Sequence, residues 1–245
     1  MRNFVSALSF LTIVPTGRWA GKLQGDAVLY FPVIGILIGG LLAGVDWLGS
    51  LFLFDALRAL VDVAFLALIT GGLHLDGLAD TADGLYFHHD REKSLQAMKD
   101  PRTGVMGVLA LLFGLGFKYV GLLALDFQFC WIWFLIAPAL ARSAQTVGLI
   151  FLKHAREEGG VGRALYQKGK YHYLIFGLIP LALPFVISIP VGLTVGLMFL
   201  FINMTLFKYF RHRLGGMTGD TFGALTEIVE TVFLVFGGWV CKGMV

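Results

Sequence analysis

"LRALVDVAFLALITGGLHLDGLADTADGL", residues 57 to 85, changes character in mid-course. Some twenty mostly apolar residues run straight into three aspartates within eight positions, Asp76, Asp80 and Asp83. An apolar run of about twenty residues is what a helix needs to cross the hydrocarbon core of a bilayer. Carboxylates placed just behind such a run, in a low-dielectric setting, require counter-charges. The first half of the stretch therefore speaks to the fold and the second half to the chemistry.

The rest of the chain agrees with the first half. Of 245 residues 57% are hydrophobic and only 14% charged, against roughly a quarter charged in a soluble domain. Mean hydropathy is +0.79. Apolar runs of crossing length fall at 27–48, 53–74, 104–124, 130–151, 172–189, 191–207 and 221–240, with the fifth and sixth so close that a kinked or re-entrant pair is the alternative. The expected fold is all-α, a polytopic integral membrane bundle of about seven transmembrane helices. It forms one membrane-embedded catalytic domain over 1–245, of which 1–26 is a cytoplasmic or interfacial N-terminal segment. Arg2 before an apolar stretch has the look of a signal peptide, but Pro15 interrupts it and Phe4, Leu8 and Leu11 fall at helical spacing, so a retained interfacial helix is expected. Gly35, Gly39, Gly40 and Gly44 suit close helix packing, within the chain or across a dimer. Cys130 and Cys241 lie in apolar runs without a shared motif and read as packing residues, with no disulfide.

Fifteen of the nineteen lysines and arginines fall in four stretches: Arg2, Arg18 and Lys22; Arg91, Lys93, Lys99 and Arg102; Lys153, Arg156, Arg163, Lys168 and Lys170; Lys208, Arg211 and Arg213. Seven spans would put all four on one side, and the loops near Asp46, Asp126 and Pro190 carry no such charge. By the positive-inside rule the N-terminus and the four basic stretches are cytoplasmic.

Asp76, Asp80 and Asp83 are spaced i, i+4, i+7, which on a helix confines them to an arc of about 60°. Their oxygens, without matching histidine or cysteine, suit Mg²⁺, or Mn²⁺, better than zinc. The plainer alternative is a solvated helix end, or an acidic cap paired with Arg91 and Lys93; the place of the stripe behind an apolar run favours metal. His74 falls on the other side of the helix, as a hydrogen-bonding residue. A second acidic segment, "RHRLGGMTGDTFGALTEIVE" at 211–230, places Gly215, Gly216 and Gly219 in a turn that leads into a helix N-terminus, a setting that attracts anions. Asp220 is expected at the metal site. Glu227 and Glu230 either join it or pair with the mid-span cations Lys118 and Arg142, and Thr218 or Asp220 caps the helix. In "KDPRTGVMG", residues 99–107, Arg102 is placed to clamp phosphate. Arg156, Lys168 and Lys170 are further anion ligands beside Glu157 and Glu158, although the lysines read more simply as solvated. Arg58 and Asp62, at i, i+4, are expected to neutralise each other.

Carboxylates that hold metal, ringed by arginines and a glycine turn, describe a diphosphate site, in which metal polarises the anhydride and stabilises the leaving group. No Walker A motif, dinucleotide fingerprint or nucleophile elbow is present. The residues alone reach a membrane phosphotransferase on the cytoplasmic side.

The segments "GGLHLDGLADTADGL", "MKDPRTGVMG", "AREEG" and "GGMTGDTFGALTEIVE", with "FLTIVP" and "FPVIGILIGG" upstream, resemble the cobalamin synthase family, the adenosylcobinamide-GDP ribazoletransferases, nearly end to end. The resemblance implies a Mg²⁺-dependent enzyme of the cell inner membrane. Such an enzyme transfers the adenosylcobinamide-phosphate group of adenosylcobinamide-GDP to the ribose hydroxyl of α-ribazole, or its 5′-phosphate, and releases GMP late in cobalamin assembly. On that basis Asp76, Asp80, Asp83 and Asp220 hold one or two Mg²⁺. Arg102 and Arg156 neutralise charge on the departing GMP, and Asp83 or Glu227 accepts the proton. The substrate-binding set is His74, Arg102, Arg156, Thr218, Gly219, Lys118 and Arg142, with Tyr86, Phe87, His88 and His89 as candidates for the corrin edge. Expected partners are the two small-molecule substrates and the lipid bilayer, with no nucleic acid; a homo-oligomer, or association with other cobalamin-assembly enzymes, stays open. Two rivals differ in class. A CDP-alcohol phosphotransferase-like lipid synthase also uses aspartates with Mg²⁺, but its D-G-x2-A-R signature is not matched here. An ion-coupled transporter would use Glu227, Glu230, Lys118 and Arg142 as a path, but no internal repeat supports it.

Overall fold

A backbone in hydrocarbon has no water to bond with, so apolar segments of this length close their hydrogen bonds internally as helices. The computed structural model describes residues 2–17, 23–86, 90–125, 130–156, 164–167 and 169–243. Helix α1 is Arg2–Leu11; a 3₁₀ turn, Gly25–Tyr30, runs into α2, Phe31–Ser50; α3 is Asp55–Ile69, α4 Leu73–Tyr86, α5 Arg91–Ala97 and α6 Val105–Leu123. Helix α7 is Ile132–Phe151; α8, Tyr173–Leu178, continues as a 3₁₀ segment, Ile179–Val186; α9 is Ile189–Leu214 and α10 Gly219–Lys242. Among the described residues there is no strand, only one isolated parallel bridge between His154 and Met217. Arg18, Lys22, Phe87, His88, His89, Asp126, Glu157, Glu158, Arg163 and Lys168 lie outside the described residues.

The all-α membrane class holds, with fewer full spans than the seven expected. Gly25–Ser50, α6, α7, α9 and α10 are long and apolar enough to cross a bilayer, and α3 with α4 makes a sixth only as a pair bent by 87°. Helix α3, at 15 residues, rises about 22 Å, short of the roughly 30 Å core. The fifth expected span is the short Tyr173–Val186, where Pro180 and Pro184 divert the helix into 3₁₀ geometry.

Helices α7 and α10 form the buried centre. Helix α2 runs antiparallel to α7, with Gly35 against Pro138–Ala139 and Gly39 against Phe134–Leu135; a Cβ on Gly35 would stand 2.5 Å from the Pro138 carbonyl. The glycine spacing thus serves packing inside the chain; Gly40 meets only the Leu135 side chain, and Gly44 has nothing within 4 Å of its Cβ position. On the other flank α6 lies parallel to α10, with Gly121 meeting Leu234–Val235 and Gly238 meeting Gly121 and Ala124. Helix α1 packs on the 3₁₀ turn and α2 through Ala7 and Leu11, and its Phe10 stacks on Phe31.

Two expectations are corrected. Cys130 and Cys241 form a disulfide across a Cα–Cα distance of 6.1 Å. They stand 111 residues apart, so no local pattern announces the bond; packing of the start of α7 against the end of α10 creates it. Arg58 does not settle on Asp62. It reaches back to Asp46 at 3.4 Å and to Asp55 at 3.2 Å, because α2 packs antiparallel to α3 there. Asp62 is buried next to Asp46.

Candidate active site

The acidic stripe owes its position to a sharp turn. Gly71 and Gly72 adopt φ of +60° and +72°, left-handed conformations that side-chain-bearing residues rarely take. The chain turns by 87° there and sends α4 across the bundle against α10 and α6. Where α4 meets α10, glycine faces glycine: a Cβ on Gly77 would stand 2.6 Å from the Asp220 carbonyl, and one on Gly223 would stand 2.9 Å from the His74 carbonyl. That close approach brings the 76–83 stripe to the start of α10.

A second turn sets Asp220. Gly215, at φ +73°, ends α9 in a left-handed cap. Gly216 then passes against the Lys153 carbonyl too closely for any side chain. This allows Ala155 N to donate to Met217 O at 2.8 Å and Met217 N to Lys153 O at 3.0 Å. Arg91 clamps the same junction, donating from Nε to Leu214 O at 2.8 Å and from Nη2 to Ala155 O at 2.5 Å. The Tyr166 hydroxyl donates to Met217 O at 2.7 Å. Thr218 then starts α10 with a capping box, its hydroxyl accepting from Thr221 N while its own N–H donates to Thr221 Oγ1. Arg156, two residues after the bridge at His154, donates from Nη2 to Asp220 Oδ2 at 3.0 Å. The turn predicted from the glycines is therefore real, and the cap is Thr218.

Four carboxylates gather around this point. Asp76, Asp83 and Asp220 all act on Asp80 as negative neighbours, and Arg156 is the cation that opposes them there. The group fits a hard divalent cation by donor chemistry, since its oxygens outnumber the positive charge that faces them. Among the described residues, however, no three such side chains converge closely enough to form a ready-made metal cage. Asp83 explains part of this. Its Oδ2 accepts from Gly104 N at 2.7 Å and its Oδ1 from Gly107 N at 2.8 Å. Both glycines have their Cα turned into the Asp83 carboxylate, so this residue anchors the 99–107 loop.

Other expected site residues are used elsewhere. Lys118 Nζ donates to Glu227 Oε2 at 2.7 Å and to Glu230 Oε1 at 2.8 Å, and Arg142 donates to Glu230 Oε2, all deeply buried. Lys118, Arg142, Glu227 and Glu230 thus form an ion-pair core among α6, α7 and α10, the pairing with mid-span cations that the sequence left open for the two glutamates. Each buried charge there requires its partner. Arg102 is 87% exposed and pairs with Asp100, whose carboxyl its hydrogen bonds hold down at about 2. Thr218 is fully buried, its hydroxyl directed to the cap and to Asp220. Lys170 lies 3.9 Å from Asp26.

A cleft of about 260 Å³ opens beside the carboxylates. Asp76, Gly219, Asp220, Arg156 and His154 form its charged side; Phe10, Phe31, Phe222 and Tyr166 its aromatic side; and His74 with Gln145 line it as well. Asp76 accepts no side-chain hydrogen bond among the described residues, and Arg156 Nε has no partner there. Of the expected residues, the cleft collects His74, Asp76, Arg156, Gly219 and Asp220. Sequence reasoning missed Gln145, Tyr166, Phe222 and His154. Only His154 carried a signal, two positions before Arg156; its Nδ1 lies 2.8 Å from Arg156 O and 3.0 Å from Arg156 N.

Such a structure is a polytopic helical membrane protein with an acidic, arginine-flanked cleft at one end of its bundle. The chain belongs to the cobalamin-5-phosphate synthase family, whose model matches residues 3–238. It is 37% identical over 237 residues to an adenosylcobinamide-GDP ribazoletransferase of Desulforamulus reducens, covering 95% of each chain. It is 36% identical over 248 residues to the enzyme of that name from Alkaliphilus metalliredigens, covering 96% of this chain and 94% of that one. No solved structure matches the chain.

Proposed function

We propose that this protein is an adenosylcobinamide-GDP ribazoletransferase: it joins adenosylcobinamide-GDP to α-ribazole, or to its 5′-phosphate, and releases GMP. The observation that carries this reading, beside the family membership, is the gathering of the 76–83 stripe, Asp220 and Arg156, next to a cleft that Asp76, Asp220 and Arg156 line. Family membership also sets aside the lipid synthase and the transporter.

In this reaction the ribose hydroxyl oxygen attacks the phosphorus that bears the cobinamide ester. A new P–O bond forms, the anhydride P–O bond breaks, and GMP leaves with the bonding electron pair. The hydroxyl proton passes to a carboxylate. Asp76 is the carboxylate on the cleft wall without a hydrogen-bond partner among the described residues, so we assign it that proton; a positioned base contributes typically 10² to 10⁴ in rate. Asp80 and Asp220 would hold Mg²⁺, which when bound supplies charge neutralisation across the diphosphate. Arg156 neutralises the phosphate of the departing GMP with its guanidinium, whose Nε has no partner among the described residues, and Asp83 anchors the 99–107 loop. We further place the protein in the inner membrane with this cleft on the cytoplasmic side, alongside the basic segments. The disulfide sits at the far end of α10 from Asp220, which suits an oxidising exterior.

The test is GMP release from adenosylcobinamide-GDP by purified protein in liposomes, with α-ribazole or its phosphate added, before and after chelation of divalent cations. Turnover that requires acceptor and Mg²⁺, and that is lost in Asp80→Ala, is expected. Metal-independent turnover by Asp80→Ala would remove the metal assignment.

A further inference from the structure

Two polar side chains in the cleft take no part in the charge chemistry. His74 and Gln145 are 2% and 3% exposed, and their Nε2 atoms lie 3.1 Å apart. If the Gln145 amide nitrogen donates to His74 Nε2, the ring proton sits on Nδ1; His74 then offers a donor and Gln145 Oε1 an acceptor. If the amide is turned round, Gln145 offers the donor and His74 Nδ1 the acceptor. Either way the pair presents one of each, and neither outward atom has a partner, since His74 Nδ1 and Gln145 Oε1 are both unsatisfied among the described residues. Buried polar atoms left in that state are costly unless a ligand completes them.

The surroundings state what kind of ligand. Tyr166 and Phe222 stand edge to face with ring centres 5.7 Å apart, and both line the cleft. The volume of about 260 Å³ falls below the roughly 300–1,000 Å³ of pockets for drug-sized ligands, so it suits a flat bicyclic ring and not a corrinoid. Arg156 and the start of α10 at Gly219 share the rim, where a phosphate joined to that ring through a ribose would fall.

We propose that this cleft binds the guanine base of the donor, and that Gln145 with His74 reads its edge. The proposal rests on the reading above that the donor is a guanosine diphosphate ester. Guanine carries a carbonyl oxygen beside a ring N–H, an acceptor next to a donor, and satisfies both outward atoms. The free ring nitrogen of the acceptor's benzimidazole is an acceptor only and would leave one of them orphaned. A site built on paired hydrogen bonds rejects ligands that cannot make them far more strongly than an apolar pocket does.

The test varies each substrate in turn, with wild-type protein and Gln145→Leu in liposomes. The variant is expected to raise KM for adenosylcobinamide-GDP at least tenfold and leave KM for α-ribazole unchanged. A rise in KM for α-ribazole alone would give the cleft to the acceptor and overturn the proposal, as would no change in either. GMP is expected to raise the Tm of the wild-type protein, ribose 5-phosphate to leave it unmoved, and Gln145→Leu to lose the GMP shift. Should Gln145→Leu fail to fold, the wild-type comparison of GMP with ribose 5-phosphate decides, and equal shifts refute base reading. If wild-type protein releases no GMP at all, the proposed reaction falls, while the GMP shift still judges the base subsite.

Discussion

Replacement of Gly77 by alanine isolates the packing that assembles the site. The added Cβ would stand 2.6 Å from the Asp220 carbonyl oxygen, 3.0 Å from Gly223 Cα and 3.1 Å from Asp220 Cα. Ordinary contact begins near 3.4 Å, so α4 and α10 must part by about 0.8 Å. All three obstacles are backbone, so no side-chain rotation relieves them. Overpacking of this kind costs about 1–3 kcal/mol, which for a chain of this size lowers Tm by several degrees. The larger effect falls on chemistry, because a shift of about 1 Å in reacting groups costs on the order of 10² in rate. GMP release at saturating substrate should therefore drop about a hundredfold while the protein still inserts and unfolds cooperatively in detergent. Gly116→Ala is the control: nothing lies within 4 Å of its Cβ position on α6, and alanine gains up to about 1 kcal/mol of helix propensity there. Wild-type turnover in Gly77→Ala, or an equal loss in Gly116→Ala, would refute the claim that glycine contact between α4 and α10 sets the catalytic geometry.

Three further outcomes are expected. Arg156→Ala should lower kcat by about 10²–10³, the usual cost of one charge-stabilising donor, whereas Arg102→Ala, exposed and paired with Asp100, should change it less than about tenfold; the reverse order in the same assay would restore Arg102 as the phosphate clamp. Glu230→Gln leaves Lys118 and Arg142 without their shared buried carboxylate and should destabilise the protein by about 3–5 kcal/mol. Denaturation in detergent measures this, and an unchanged midpoint would contradict the ion-pair core. Cys241→Ser should cost about 2–5 kcal/mol of stability and leave the acidic cleft intact; maleimide labelling of both native cysteines without reductant would show that the bridge is absent.

By itself the sequence determined the membrane class, the helical secondary structure, the acidic stripe and the capped glycine turn ahead of α10. These are properties of neighbours along the chain: apolar length, a 3.6-residue period, and the conformations open to glycine. Tertiary structure decided the rest. The double left-handed turn at Gly71–Gly72 shortened one apparent span and swung the aspartates onto α10. Packing chose Lys118 and Arg142 as partners for Glu227 and Glu230, bound Asp83 to the amides of Gly104 and Gly107, and joined Cys130 to Cys241. It also placed Gln145, silent in an apolar run, against His74. Side chains tens of residues apart carry no shared period, so which of them meet is settled only when the helices find how closely their backbones can approach.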